Sequence, residues 1–227
     1  MAAAALASEL NTVHLSVADI DAIVALHRET IAALPNPGAV RPDAPAFFEG
    51  IFACGGEITG LHEAGSLVAY GVLRPELVQE HDRWALDALV PPTAALWVLD
   101  GSAVRPSHWR RGLQRHIVGL RITRAASLGI GSVIAKASPG NVPSMRNLLK
   151  SGFATIGLIR KSYGWRYIHF RPTACGYTEP ATGDWIAAAG IEEAQHRFEA
   201  GEVASACAVT PDGTPILKFA RPEGPAA

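Results

Sequence analysis

Apolar positions run along this chain in two rhythms. Over Thr12 to Val17 they alternate, with Val13, Leu15 and Val17 on one face, which predicts a first strand. From Ala18 to Leu34 the spacing lengthens. Ile20, Ile23, Val24, His27, Ile31 and Leu34 fall near helical intervals, with Asp19 and Asp21 in the first turn, where the helix dipole favours acids. Pro35, Asn36, Pro37 and Gly38 break that helix, and Pro45 to Phe52 predicts a short second one ahead of Gly55 and Gly56. Glu57 to Glu63 and Ser66 to Leu73, joined by Ala64 and Gly65, read as strand, tight turn and strand. Arg74 to Pro92 keeps no clear rhythm. A strand from Thr93 to Val104 holds Asp100 and Gly101 inside an apolar run, the mark of a bulge.

The pattern then predicts a helix from about Arg111 to Leu128. Leu113, Ile117, Leu120 and Leu128 mark its apolar face, Val118, Ile122 and Ala125 widen it, and Gly129 caps its end. Ser132 to Ala137 reads as a short buried strand, and Asn141 to Ser151 as a short helix followed by Gly152. Ala154 to Arg160 and Trp165 to Phe170 form a strand pair. Beyond a Pro/Gly/Thr-rich connector, Pro172 to Gly183, the pattern predicts a helix around Ile191 to Ala200. A hairpin of Val203 to Val209 and Ile216 to Ala220 follows, turning at Asp212 and Gly213. The chain thus divides into a loose N-terminus (1–11), a main domain (12–172) and a C-terminal appendage (173–227). The appendage would serve as a lid, a sheet extension or a dimer contact.

Composition narrows the function. With 48% hydrophobic and 18% charged residues, the chain of 227 residues has the balance of a folded domain. A formal net charge of −1 argues against a nucleic-acid binder driven by a basic field. No apolar run is long enough to span a bilayer, and the alanine-rich start lacks a signal peptide's basic region. Cys54, Cys175 and Cys207 lie far apart, so neither a disulfide framework nor a metal site is expected, and the cytoplasm is the expected compartment.

The most informative stretch follows the bulged strand. Arg105, Arg110, Arg111 and Arg115 surround Gly112 at a strand-to-helix junction. The first turn of a helix leaves N–H groups free, and the dipole adds positive potential. Glycine lets the backbone approach a ligand closely. The junction therefore predicts a bound phosphate ester or pyrophosphate. It has neither the glycine spacing of a dinucleotide fingerprint nor the Gly-Lys-Ser/Thr of a Walker loop.

A second stretch sharpens this: Asn141, Val142, Pro143 and Ser144, ending in Gly152 and Phe153. Together with Val104-Arg105-Pro106 and the loop Trp109 to Gln114, it resembles the GNAT superfamily of acyl-CoA-dependent N-acetyltransferases, across residues 12–171. Three family positions differ. Trp109 stands where Arg or Gln is usual, and Gln114 where a small residue is usual. The common tyrosine of the Asn helix is Leu148 here.

The resemblance implies a mixed α/β fold: a central, mostly antiparallel sheet with helices on both faces, its strands splayed at a β-bulge. It implies acetyl-CoA as co-substrate and no metal. The main chain of Ser102 and Val104 would hold the pantetheine, and Val104 N–H would face the oxyanion. The amides of Arg110, Arg111, Gly112, Leu113, Gln114 and Arg115 would hold the pyrophosphate. Asn141 would bond the pantetheine, Ser144 would sit near the adenosine end or the thiol side, and Lys150 is a candidate phosphate contact. An amine would attack the thioester directly. Asp100 is the first candidate for its base, with His62 and His81 behind it. Tyr163 or Tyr167 would supply the missing acid. Phe47, Phe48, Phe52, Trp84 and Trp97 offer apolar area for the acceptor, expected to be a small amine or amino-acid-like molecule, with the enzyme a monomer or homodimer. The alternatives are a protein N-terminal or lysine acetyltransferase and a non-catalytic acyl-CoA-binding module.

Overall fold

The structure, a computed structural model, describes residues 10–76 and 95–222. His81, Trp84, the start of the strand at Thr93, the stretch up to Pro92 and the alanine-rich residues before Leu10 lie outside the described residues. A single sheet of ten strands organises what is described. In chain order these are β1 (Asn11–Leu15), β2 (Glu57–Glu63), β3 (Ser66–Pro75), β4 (Leu96–Val104) and β5 (Ser132–Ala137). Then come β6 (Ala154–Lys161), β7 (Gly164–Pro172), β8 (Asp184–Ala187), β9 (Val203–Val209) and β10 (Pro215–Ala220). Their spatial order is β1-β2-β3-β4-β5-β7-β6-β9-β10-β8. Every neighbouring pair is antiparallel except β4 and β5, which run parallel.

Among the described residues, five α-helices flank the sheet: α1 (Ile20–Ala32), α2 (Pro45–Ala53), α3 (Leu113–Ser127), α4 (Val142–Leu149) and α5 (Ile191–Glu199). The first strand ends two residues earlier than the alternation predicts. Ser16 N–H and Oγ both donate to Asp19 Oδ2, at 2.8 and 2.9 Å, and this box turns the chain into a 3₁₀ turn ahead of α1. Ile23, Val24 and Leu26 of α1 pack with Phe48 and Ile51 of α2 onto Ile58, Tyr70 and Val72, covering one face of the sheet. On the other face, Val118, Ile122 and Ala125 of α3 pack with Met145, Leu148 and Leu149 of α4 against Val133, Ala135 and Ala137.

The buried stripe of α3 differs from the predicted one. Leu128 is 39% exposed, and Arg121 occupies the buried row with Ile117 and Val118. The segment after β7 also carries a strand the pattern did not announce, β8, which pairs with β10. Its WIA run is too short and exposed to stand out. The described C-terminal residues extend the sheet, since β9 meets the edge of β6 at Thr155 and Ala204. They share its core, because Ala194, Leu217 and Phe219 pack in one cluster with Phe153 and Tyr167.

Candidate active site

The site begins where β4 and β5 part. Leu96, Trp97 and Val98 pair with Ser132, Val133 and Ile134, and the pairing then stops, although β5 continues to Ala137 along β7. The cause lies in the pairing of β4 with β3. Gly71 faces Ser102 while Leu73 faces Leu99, so β4 carries one extra residue at Asp100-Gly101, a bulge that bends it away. Arg121 fixes this bend. It is 2% exposed and donates from Nη1 to Val72 O (2.9 Å) and Asp100 O (3.2 Å). Gly71 leaves room for it, as a Cβ there would lie 2.7 Å from Arg121 Nε. Burial lowers this guanidinium to about 10, still cationic at neutral pH.

Beyond the bulge the alternation of the ladder decides which backbone groups are free. Arg105 N–H donates to Val68 O at 2.8 Å, so Val104, opposite Ala69, turns its N–H and C=O away from β3, and so does Ser102. Val104 C=O accepts from Trp109 Nε1 at 2.7 Å and from Thr30 Oγ1 at 3.2 Å. The N–H groups of Val104 and Ser102 meet no acceptor among the described residues and face the gap.

The loop from Arg105 to Gly112 is held from three sides. Trp109 bonds the end of β4, Arg105 Nη2 donates to Leu67 O (3.0 Å), and Glu63 at the end of β2 receives two partners. Arg111 donates to Glu63 at 2.6 Å and His108 Nε2 lies 2.7 Å from it. Those bonds, Arg111 first, pull the Glu63 carboxyl down to about 2. Arg110 and Gly112 take left-handed conformations, at φ 65° and 80°. The turn delivers the chain into α3 with the N–H groups of Gly112, Leu113, Gln114 and Arg115 free of acceptors among the described residues. A Cβ on Gly112 would meet nothing within 4 Å. Sequence reasoning missed both Trp109's anchoring role and Glu63. The indole N–H in place of a guanidinium was the available signal.

Gln114 turns its side chain to α4, where Asn147 Nδ2 donates to its Oε1 at 2.6 Å. Asn141 caps α4 through Oδ1, which accepts Ser144 N–H at 3.3 Å. Asn141, Ser144 and Leu148 line one side of a cleft of about 480 Å³ that runs through the gap. A second groove of about 540 Å³ lies beside the loop, with Arg111, Arg115, His116, Lys150 and Arg171 on its walls.

The opposite side of the cleft belongs to α1, α2 and the β6–β7 turn. Asp43, just before α2, bonds Arg41 Nε at 2.6 Å and lies 3.7 Å from His27 Nε2. His27 Nδ1 sits 2.8 Å from Tyr70 Oη. Asp43 is also close to the bulge, since a Cβ on Gly101 would lie 3.7 Å from its Oδ2. Burial pushes its carboxyl above the ordinary value, with Arg41 and His27 opposing. Sequence reasoning missed Asp43, which lies in an irregular loop, but His27 on an apolar helix face marked the neighbourhood.

Asp100 lines the cleft, yet it is engaged by Arg74, whose Nε and Nη2 both lie 2.7 Å from Oδ2, and by Gly101 N–H at 3.0 Å. Tyr163 lines the cleft as well. Tyr167 does not, and this corrects the expectation for it. It is fully buried, packs against Phe198, and donates its hydroxyl to Ala188 O at 2.8 Å. Burial raises its phenol further from a useful range. Tyr167 lies inside β7 with its side chain on the α5 face, whereas Tyr163 precedes the strand, in the β6–β7 turn. His62 pairs across from Asn11 and lies off the cleft. Of the aromatic residues, Phe47 lines the cleft and Phe48 is core.

The overall fold is shared with solved structures. An N-acetyltransferase from Staphylococcus aureus Mu50 aligns at TM-score 0.52 and 18% identity, over 71% of this chain and 95% of its own. The ribosomal-protein-S18-alanine N-acetyltransferase from Escherichia coli aligns at 0.55 and 14%, over 76% and 98%. A GNAT superfamily phosphinothricin acetyltransferase from Sinorhizobium meliloti, solved in complex with AcCoA, aligns at 0.54 and 18%, over 77% and 95%. No protein-family model and no curated protein matches the sequence. The chain has the GNAT acetyltransferase fold.

Proposed function

We propose that the protein is an N-acyltransferase that moves an acetyl group from acetyl-CoA to the primary amine of a small molecule. The observation that carries this reading is two sets of free N–H groups, those of Ser102 and Val104 in the splay and those of Gly112–Arg115 at the start of α3. Two such sets fit an amide-bearing arm that ends in a pyrophosphate. Acetyl-CoA would supply an activated acetyl thioester.

The remaining roles fall to the chain's own groups. Val104 N–H faces the gap where charge would develop on the acyl oxygen. Arg115 and Lys150 edge the second groove and add charge beside the cradle. Asp43 is the better base, because Asp100 is engaged by Arg74 and Gly101. Asp43 sits at the bulge, on the acceptor side, and would take the amine's proton. Tyr163 takes the acid role first assigned to Tyr163 or Tyr167, as it alone of the two reaches the cleft.

Isothermal titration of acetyl-CoA into the wild-type chain and into Gly112→Glu tests the reading. Open space around Gly112 means the glutamate is not excluded sterically, although its left-handed backbone costs about 1 kcal/mol. Micromolar binding to the wild type and at least a hundredfold loss in the variant, with free CoA thiol released from acetyl-CoA when an amine is supplied, is expected. Failure of the wild type to bind would overturn it.

A further inference from the structure

The acceptor side of the cleft holds a buried cation that the reaction above does not use. Arg166 follows Trp165 and precedes Tyr167 on β7. Those two neighbours pack into the core on the α5 side, so Arg166 points to the opposite face, toward α1 and α2. It is 7% exposed and lines the cleft. Its Nη1 donates to Trp165 O at 2.8 Å, but its Nη2 is buried without a hydrogen-bond partner. No carboxylate among the described residues pairs with it. Its guanidinium stacks on Tyr163, 4.6 Å from the ring centre. Arg41 approaches the same ring at 5.6 Å and Phe47 at 4.9 Å, so a second cation stands close by.

A buried guanidinium with an unmade bond is costly, and a neighbouring cation makes it more so. Evolution tolerates this arrangement where a ligand completes it. The missing group must be anionic, and the flat guanidinium fork matches a carboxylate. It is not a phosphate of the acyl donor, for the amide cradle lies at the start of α3, across the sheet from Arg166. Arg41 ties this point to Asp43 at 2.6 Å, so a carboxylate at Arg166 leaves an amine within one small molecule's reach of the base.

Resting on the acyltransferase reading, we infer that the acceptor is an amino carboxylic acid. Its carboxylate is held by Arg166, with Arg41 and Tyr163 beside it, and its amine is turned toward Asp43 and the bulge.

Two measurements on the full chain test this separately from acetyl-CoA binding. The first is a thermal-shift screen of the common α-amino acids, each against its carboxamide and its decarboxylated amine. Some amino acids should raise the melting temperature while their carboxamides do not. The second is the same screen, with thiol-release kinetics, on Arg166→Gln and Arg166→Lys. The glutamine variant should raise KM for the amino acid about 30-fold, with acetyl-CoA affinity unchanged and partial recovery in the lysine variant. The wild-type comparison does not depend on either variant folding. Equal shifts or equal rates for acid and carboxamide overturn the anion site even when acetyl-CoA binds. Carboxylate-dependent shifts in a protein that fails to bind acetyl-CoA would retain the anion site and sink the acyltransferase reading.

Discussion

At the scale of single residues, the candidate chemistry turns on which carboxylate is available. Asp100 and Asp43 both lie at the bulge and both touch an arginine. Asp100 carries two bonds from Arg74 and one from a main-chain amide, which makes it a strut of the bulge. Asp43 is set apart by desolvation, which raises its proton affinity despite Arg41 and His27; the nearby charge of Asp100 acts in the same direction. A base works only when ionised, so the rate should fall as pH drops through the Asp43 pKa, which lies above the ordinary 3.8. Asp43→Asn should remove that acid limb and lower kcat by about a hundredfold or more, with acetyl-CoA binding intact. The sign for stability is opposite. A carboxyl raised in the folded state favours folding below its unfolded pKa and loses that contribution as pH rises through the folded value. Asparagine should therefore hold or raise the melting temperature at neutral pH. A variant with a raised KM that keeps the acid limb would make Asp43 a positioning residue instead.

At the scale of elements, the sequence resolved what repeats and blurred what depends on partners. The strands around Ala64-Gly65, the bulge at Asp100-Gly101 and the strand Ser132 to Ala137 were legible because alternation and turn residues are local signals. The left-handed turn into α3 was legible from Gly112 at the strand-to-helix junction. What stayed hidden was fixed by distant contacts. Arg121 reads as a helix-surface charge until β3 supplies the carbonyl of Val72 and the space at Gly71. Tyr163 and Tyr167 look interchangeable until the fold puts Tyr163 in the β6–β7 turn at the cleft and Tyr167 inside β7 against α5. Gln114 is another case. Its side chain, out of place by comparison with GNAT loops, bonds Asn147 and joins α3 to α4, leaving its N–H in the cradle. If the main chain is what holds the pyrophosphate, Gln114→Ala should leave the acetyl-CoA affinity within about threefold. Its cost should appear as about 1 kcal/mol of stability, from the lost bond. A large loss of affinity by titration calorimetry would instead give the side chain a direct part in binding.

At the scale of the whole molecule, the C-terminal residues are a structural completion of the sheet. The aligned acetyltransferases are covered over 95% to 98% of their own length by 71% to 77% of this chain, so much of this chain has no counterpart in them. Here β9 meets β6 through a single register pair, Thr155 with Ala204, so ladder hydrogen bonds contribute little to the junction. Apolar packing dominates it. Leu217 and Phe219 are buried with Leu158, Phe153 and Met145, and Tyr167 gives its hydroxyl to Ala188. Leu148 and Met145 belong to α4, which also carries Ser144, so the same cluster braces one wall of the cleft. Ending the chain after Pro172 would uncover several large side chains at about 1.5–3 kcal/mol each, against a net stability of about 5–15 kcal/mol. The truncated chain is therefore expected to aggregate or to unfold without a cooperative transition, as followed by circular dichroism on heating. A soluble, cooperatively melting fragment that still binds acetyl-CoA would show the opposite: a self-sufficient domain carrying a separable appendage, with α4 held by the sheet alone.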